Sequence, residues 1–231
     1  MKRFFKDVTV DAADDQFRVL LDGRAVKTQL GKPQFLPTQG LAEAMAAEWS
    51  EQGDKIDPAR FRFRDLADFA IDMVAPDPDA TVTKLLGFIE TDTLCYRADP
   101  EEPLYRKQQE IWDPLLTAFE ERESVSIERI SGIMHKPQAP ETHEKLSERL
   151  TSLDCFSLAA LQTMTSLAAS LTVGLSALEK DADPDALWRA ANLEEDWQIE
   201  LWGEDAEAAD VRANRHADFL SAWNFAKLAG A

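Results

Sequence analysis

The feature that most limits the fold is a change of hydrophobic period near Thr38. Before it, Asp7 to Val10 and Phe17 to Leu21 are short runs rich in apolar and β-branched residues, and Asp22-Gly23 separates FRVLL from RAVKT. An Asp-Gly pair in that setting favours a tight hairpin, because both turn residues must tolerate positive φ. Gly31, Lys32 and Pro33 mark a further turn, and a short strand is expected around Phe35. After Thr38, a residue suited to capping, Leu41, Met45 and Trp49 recur every four positions. That spacing places them on one face of a helix, with Gly53 as its stop signal.

The helical period continues to the C-terminus. A second helix is predicted from Asp65 to Val74, broken by Pro76-Asp77-Pro78, and a third from Ala80 to Glu90. Leu104, Ile111, Leu115 and Phe119 form the next apolar stripe. Ser131 to Pro140 reads as a loop that could act as a hinge, and Thr142 starts a helix to about Leu150. An Ala/Leu-rich helix is expected over Ser157 to Glu179. Asp183-Pro184 supplies a cap followed by proline at the first helical position. The helix it starts carries Leu187, Ala191, Glu195 and Trp202, and a last helix runs from about Glu204 to Leu228. The expected class is α+β: an N-terminal α+β domain with a β-hairpin over 1–95, and a larger helical domain over 96–231.

A chain of 231 residues with 45% apolar content can bury a substantial core. Its most Ala/Leu-rich stretch, Leu158 to Leu178, is interrupted by Gln162, Thr163, Thr165, Ser166, Ser170 and Thr172. It lacks the apolar run of about 20 residues that a bilayer span needs, so no membrane insertion is expected. The opening MKRFFKDVTV has charges and no long apolar stretch, so no secretory signal is evident. A net charge of −18 repels phosphate backbones and anionic lipid, which argues against nucleic-acid and membrane partners. The charge either serves solubility or favours a basic partner. Cys95 and Cys155 form no CxxC pair and read as buried free thiols.

Motifs that organise chemistry are absent. Around His135, His143 and His216 there is no HExxH, and Gly132, Pro140 and Ala213 occupy the positions a Glu-x-x-His metal motif would fill. GxSxG, the phosphate loop and GxGxxG are also missing. No catalytic residue, metal ligand or cofactor is therefore assigned. An enzyme such as a hydrolase, with a site built from distant residues, and a permanent structural subunit are the alternatives. Glu194, Glu195, Glu200, Glu204, Asp205 and Glu207 gather near Trp197 and Trp202. A solvated acidic face, a recognition surface and a catalytic pair are three readings of such a cluster. Of the six tryptophans, most are expected in the core, although Trp is also the strongest interface anchor.

Six strings, in order, carry a family resemblance: FFKDVTV from Phe4, LDGRAVKT from Leu21, EWSEQGDKIDP from Glu48, TDTLCYRA from Thr91, QQEIWDPLL from Gln108, and LEEDWQIELWGEDAEA from Leu193. Together they resemble the ATP synthase assembly chaperones of the α subunit, the "Atp-twelve" family of mitochondria and α-proteobacteria. The resemblance implies a non-enzymatic protein, without cofactor, that binds the free α subunit of F-type ATP synthase. It would prevent aggregation and leave when the β subunit takes over the same surface. It also implies a small β-rich N-terminal domain joined to a helical one. The functional glutamate of the family's WQ-x-x-x-WG region maps to Glu195, with Glu194 the alternative. Partner binding is accordingly expected at Glu195, Glu194, Gln198, Trp202 and Asp205, in a monomer. Trp49, on the Leu41/Met45 stripe, is expected to be structural. Phe5 stands where the family often has Tyr. The early first string, at Phe4, suggests a bacterial cytoplasmic member, or a mitochondrial-matrix form if processed.

Overall fold

The hairpin predicted at Asp22-Gly23 is present in the computed structural model, which describes residues 1–132 and 134–230. Strands β1 (Val8–Ala13) and β2 (Gln16–Leu21) pair antiparallel, with Val8 opposite Leu21 and Ala13 opposite Gln16. Strand β3 (Arg24–Ala25) follows β2 across Asp22 and Gly23, whose φ values are 47° and 76°. Both are positive, as the tight hairpin requires. The Asp22 carboxylate accepts from the backbone N–H of Asp7 and Lys6 at 2.8 and 3.0 Å, and these bonds hold it below the usual carboxylate range. β1 runs longer than expected and turns at Asp14, φ 55°. In place of the strand expected around Phe35 there are two isolated bridges, Lys27 with Pro33 and Phe17 with Leu36.

Helix α1 (Gln39–Ser50) begins as predicted: the Thr38 hydroxyl accepts from Leu41 N at 3.2 Å, and Leu41, Met45 and Trp49 are buried. Trp49 packs edge-on against Phe5 and lies 4.4 Å from the ring of Phe61. α2 (Arg62–Phe69) starts earlier than expected and continues into a π-helical turn, Ala70–Val74. Two buried carboxylates on this segment hold the loop that precedes α1. Asp72 accepts from Thr28 Oγ1 at 2.9 Å and Leu30 N at 3.1 Å, while Asp68 accepts from Gln34 Nε2 at 2.5 Å and Gln29 N at 3.2 Å. Buried charge persists only where such bonds satisfy it.

The contacts divide the chain into two units: Met1–Pro78 with Asp154–Ala160 and Ser221–Ala231, and Asp79–Leu153 with Leu161–Leu220. This is a different division from the expected single boundary at residue 95.

The remaining helices are α3 (Pro78–Ile89), α4 (Pro103–Glu123), α5 (Pro140–Thr151), α6 (Cys155–Ala168), α7 (Leu171–Ala177), α8 (Pro184–Ala191), α9 (Leu193–Trp202) and α10 (Ala206–Ala229). Strands are not wholly confined to the N-terminus, since β4 (Tyr96–Arg97) pairs parallel with β5 (Ile130–Ser131). The mixed, helix-dominated class matches the sequence reading.

Three local expectations are corrected. α4 buries Gln108, Trp112, Leu116 and Phe119, so of the expected stripe only Phe119 is fully inside, and Ile111 is 41% exposed. The buried face includes a glutamine because its amide is satisfied: Gln108 Oε1 accepts from Ala98 N at 2.8 Å. The helix expected over Ser157 to Glu179 breaks at Ala169, φ 48°. There Ser170 Oγ accepts from Val173 N at 3.0 Å, and the buried Asp92 accepts from Thr172 N at 2.9 Å, so α7 starts anew with two of its orphan N–H groups satisfied. The helix from Asp183 also stops, at Asn192, whose amide Nδ2 donates to Trp188 O at 2.8 Å. Its start is as predicted, with Asp183 accepting from Ala186 N.

Cys95 is buried, but Cys155 is only partly so, and both are free thiols. Burial pushes both thiols up. Trp49, Trp112 and Trp188 are buried, whereas Trp202 is 77% exposed. Among the described residues no helix is long and apolar enough to cross a membrane.

Candidate functional surface

α9 opens with Glu194, Glu195 and Asp196, where carboxylates favourably meet the positive end of the helix dipole. It ends at Gly203, φ 85°, a conformation that lets the chain leave the helix without steric cost. Asp205 then accepts from Ala208 N at 2.9 Å and caps α10. The two helix ends enclose a groove of about 240 Å³ lined by Glu195, Gln198, Trp202 and Asp205, with Arg212 on α10. A second depression, of about 350 Å³, shares Glu195, Asp205 and Arg212 and adds Glu207 and Val211.

Four of the five sequence-predicted residues therefore lie together. The fifth, Glu194, does not line either depression. Its Oε1 accepts from Gln108 Nε2 at 2.8 Å. Burial raises the Glu194 carboxyl above its usual range, and the Gln108 bond partly offsets this. Asp205 lines the groove while its side chain caps α10.

Two cations were not singled out by the sequence. Residues 193–211 contain acids but no lysine or arginine, so Arg212 is the first cation after the acidic run. It pairs with Asp196, and its Nε lies 3.9 Å from Glu195 Oε2. Lys107 of α4 bonds Glu200 at 2.5 Å and stands 4.5 Å from the centre of the Trp197 ring, which fastens α9 to α4. That pairing across 93 positions has no local signal. Leu201 and Trp202, by contrast, are 53% and 77% exposed. The result is an exposed tryptophan beside a carboxylate-rich groove lined by Arg212.

The histidines have partners. His143 and His135 both approach Glu90, at 2.5 and 3.4 Å, and His135 Nδ1 lies 3.0 Å from the Tyr96 hydroxyl. His216 stacks on Trp188 with 5.3 Å between ring centres. Among the described residues no group of three His, Cys, Asp or Glu side chains is placed to hold a metal ion.

Comparison with known proteins agrees with this architecture. Residues 2–120 match the family model described as ATP12 chaperone protein. The mitochondrial atp12 protein of Schizosaccharomyces pombe is 29% identical over 224 residues, covering 90% of this chain and 77% of that protein. The mitochondrial ATP12 protein of Saccharomyces cerevisiae is 24% identical, covering 96% and 84%. The crystal structure of Atp12 from Paracoccus denitrificans superposes with a TM-score of 0.93 at 35% identity, covering 99% of this chain and 98% of that one. With the family model spanning half the sequence and the solved structure nearly all of it, the chain belongs to the ATP12 chaperone family.

Proposed function

We propose that this chaperone holds the unassembled α subunit of F-type ATP synthase as a monomer and prevents its aggregation before the hexamer forms. It does so without catalysis, through the α9–α10 groove. Family membership supports the chaperone role in ATP synthase assembly. The observation that carries the surface is Trp202, 77% exposed next to Leu201 and beside Glu195, Gln198 and Asp205. Large exposed apolar side chains rimmed by polar groups mark interaction sites. Tryptophan supplies anchoring area, while an acidic rim tunes association rate and salt sensitivity more than fold stability.

The test dilutes denatured α subunit into buffer with the full chain and follows light scattering. The wild-type chain suppresses scattering at a molar ratio near one. Glu195→Ala and Trp202→Ala weaken suppression while their melting temperatures stay within a degree or two of wild type, because Trp202 is exposed and Glu195 makes only a long, partly exposed pair with Arg212. Trp49→Ala, by contrast, empties buried volume and loses about 3–5 kcal/mol of stability. If both surface variants protect α as well as wild type does, the contact lies elsewhere. If the wild-type chain protects the β subunit and not α, the partner assignment fails.

A further inference from the structure

A larger groove, of about 610 Å³, lies in the N-terminal unit. It is bounded by Phe4 and Phe5, by the chain from Leu21 to Lys27, by Trp49 of α1, and by Arg64 and Asp68 of α2. Three features of its wall ask for a ligand. First, the wall is aromatic: Phe4 meets Phe5 edge-on, Phe5 meets Trp49 in the same way, and Phe4 is 60% exposed. An exposed aromatic side chain beside a concave wall offers a seat for an apolar side chain from outside. Second, β3 is a sheet edge. Leu21 and Arg24 flank a two-residue turn, and Val26 N donates to Val19 O, so those are hydrogen-bonded pairs. Ala25, opposite Leu20 between them, therefore turns its own N–H and C=O away from β2. Third, the charge is inverted. In a chain of net charge −18, the exposed Arg24 and Lys27 at this rim hold no ion pair among the described residues. Both carboxylates of the groove are already engaged: Asp22 accepts from Lys6 and Asp7, and Asp68 from Gln34 and Gln29.

We propose that this groove binds an extended acidic peptide segment of a client protein. The segment adds to the edge of β3 through Ala25, sets carboxylates against Arg24 and Lys27, and lays an apolar side chain beside Phe4 and Phe5. That apolar side chain also meets the Trp49 ring that lines the groove. Strand addition to an open edge supplies affinity from main-chain bonds, and alternate side chains supply specificity. The acid preference follows from the unpaired cations, because a basic segment would meet Arg24 and Lys27 as like charges. The groove shares no lining residue with the α9–α10 surface, and its preference for acid does not depend on the identity of the client.

The test uses the full chain and a fluorescein-labelled eight-residue peptide alternating glutamate with valine and phenylalanine, read by anisotropy at low salt. Its counterpart with lysine in place of glutamate is the control. The glutamate peptide binds saturably and the lysine peptide does not. Arg24→Glu combined with Lys27→Glu, both with exposed side chains, weakens binding by at least about tenfold with an unchanged melt. In nitrogen-15 spectra the indole signal missing from Trp49→Phe shifts on peptide addition. Glu195→Ala leaves peptide binding intact, so failure here and failure of the α9–α10 reading are told apart. Equal binding of both peptides overturns the proposal. So does binding that is insensitive to the charge reversal, or equal affinity for inorganic polyphosphate or phosphatidylglycerol vesicles.

Discussion

Gln108 Nε2 donates to Glu194 Oε1 at 2.8 Å, whereas the neighbouring Glu195 faces Arg212, 3.9 Å away. Two adjacent glutamates on α9 are thereby given different work. One satisfies a fully buried amide of α4, and the other lines an open groove.

Glu194→Ala should destabilise the fold, because it strands a buried amide donor at a cost of about 1–3 kcal/mol. Glu194→Gln keeps an acceptor oxygen and should recover most of that loss. Urea melts of the two variants check this. Equal stability of both would show that the bond to Gln108 contributes little.

Gly174 on α7 has no room for a side chain. A Cβ there would overlap Oγ1 of Thr165 and stand 3.0 Å from Leu161 Cδ1. Gly174→Ala should therefore cost about 1–3 kcal/mol through overpacking, despite the better helix propensity of alanine. Thr165 is fully buried and its hydroxyl meets no partner among the described residues, so Thr165→Ala opens the required space. The double variant should be more stable than the sum of the two single changes predicts, a coupling that a double-mutant cycle measures directly.

Asp68 is pushed up from 3.8 to about 6 by burial, against the opposing bonds from Gln34 and Gln29. Between those two values the folded chain keeps a proton that the unfolded chain has released. Asp68 therefore makes stability fall as pH rises from 3.8 to about 6, and adds no further slope above that window. Asp68→Asn removes the titration. Subtracting its urea midpoints from those of wild type should give a difference that declines across this window and then levels off. A difference that rises with pH would contradict the raised carboxyl.

The hairpin at Asp22-Gly23, the cap at Thr38 and the start at Asp183-Pro184 were legible from sequence because each depends on groups within a few residues of one another. The acidic segment of the candidate surface was legible for a similar reason, since a run of acids without a cation is a local pattern. Tertiary structure alone decided where the long helical patterns break. Asp92 takes the N–H of Thr172 from 80 residues upstream, and that bond helps α7 start afresh. It also decided which glutamate meets the buried amide, because Gln108 reaches Glu194 across 86 positions. The buried stripe of α4 hid in the sequence behind that same glutamine. Hydrophobic period locates an apolar face, but a polar side chain joins the core only when a distant partner satisfies it, and no local pattern records that partner.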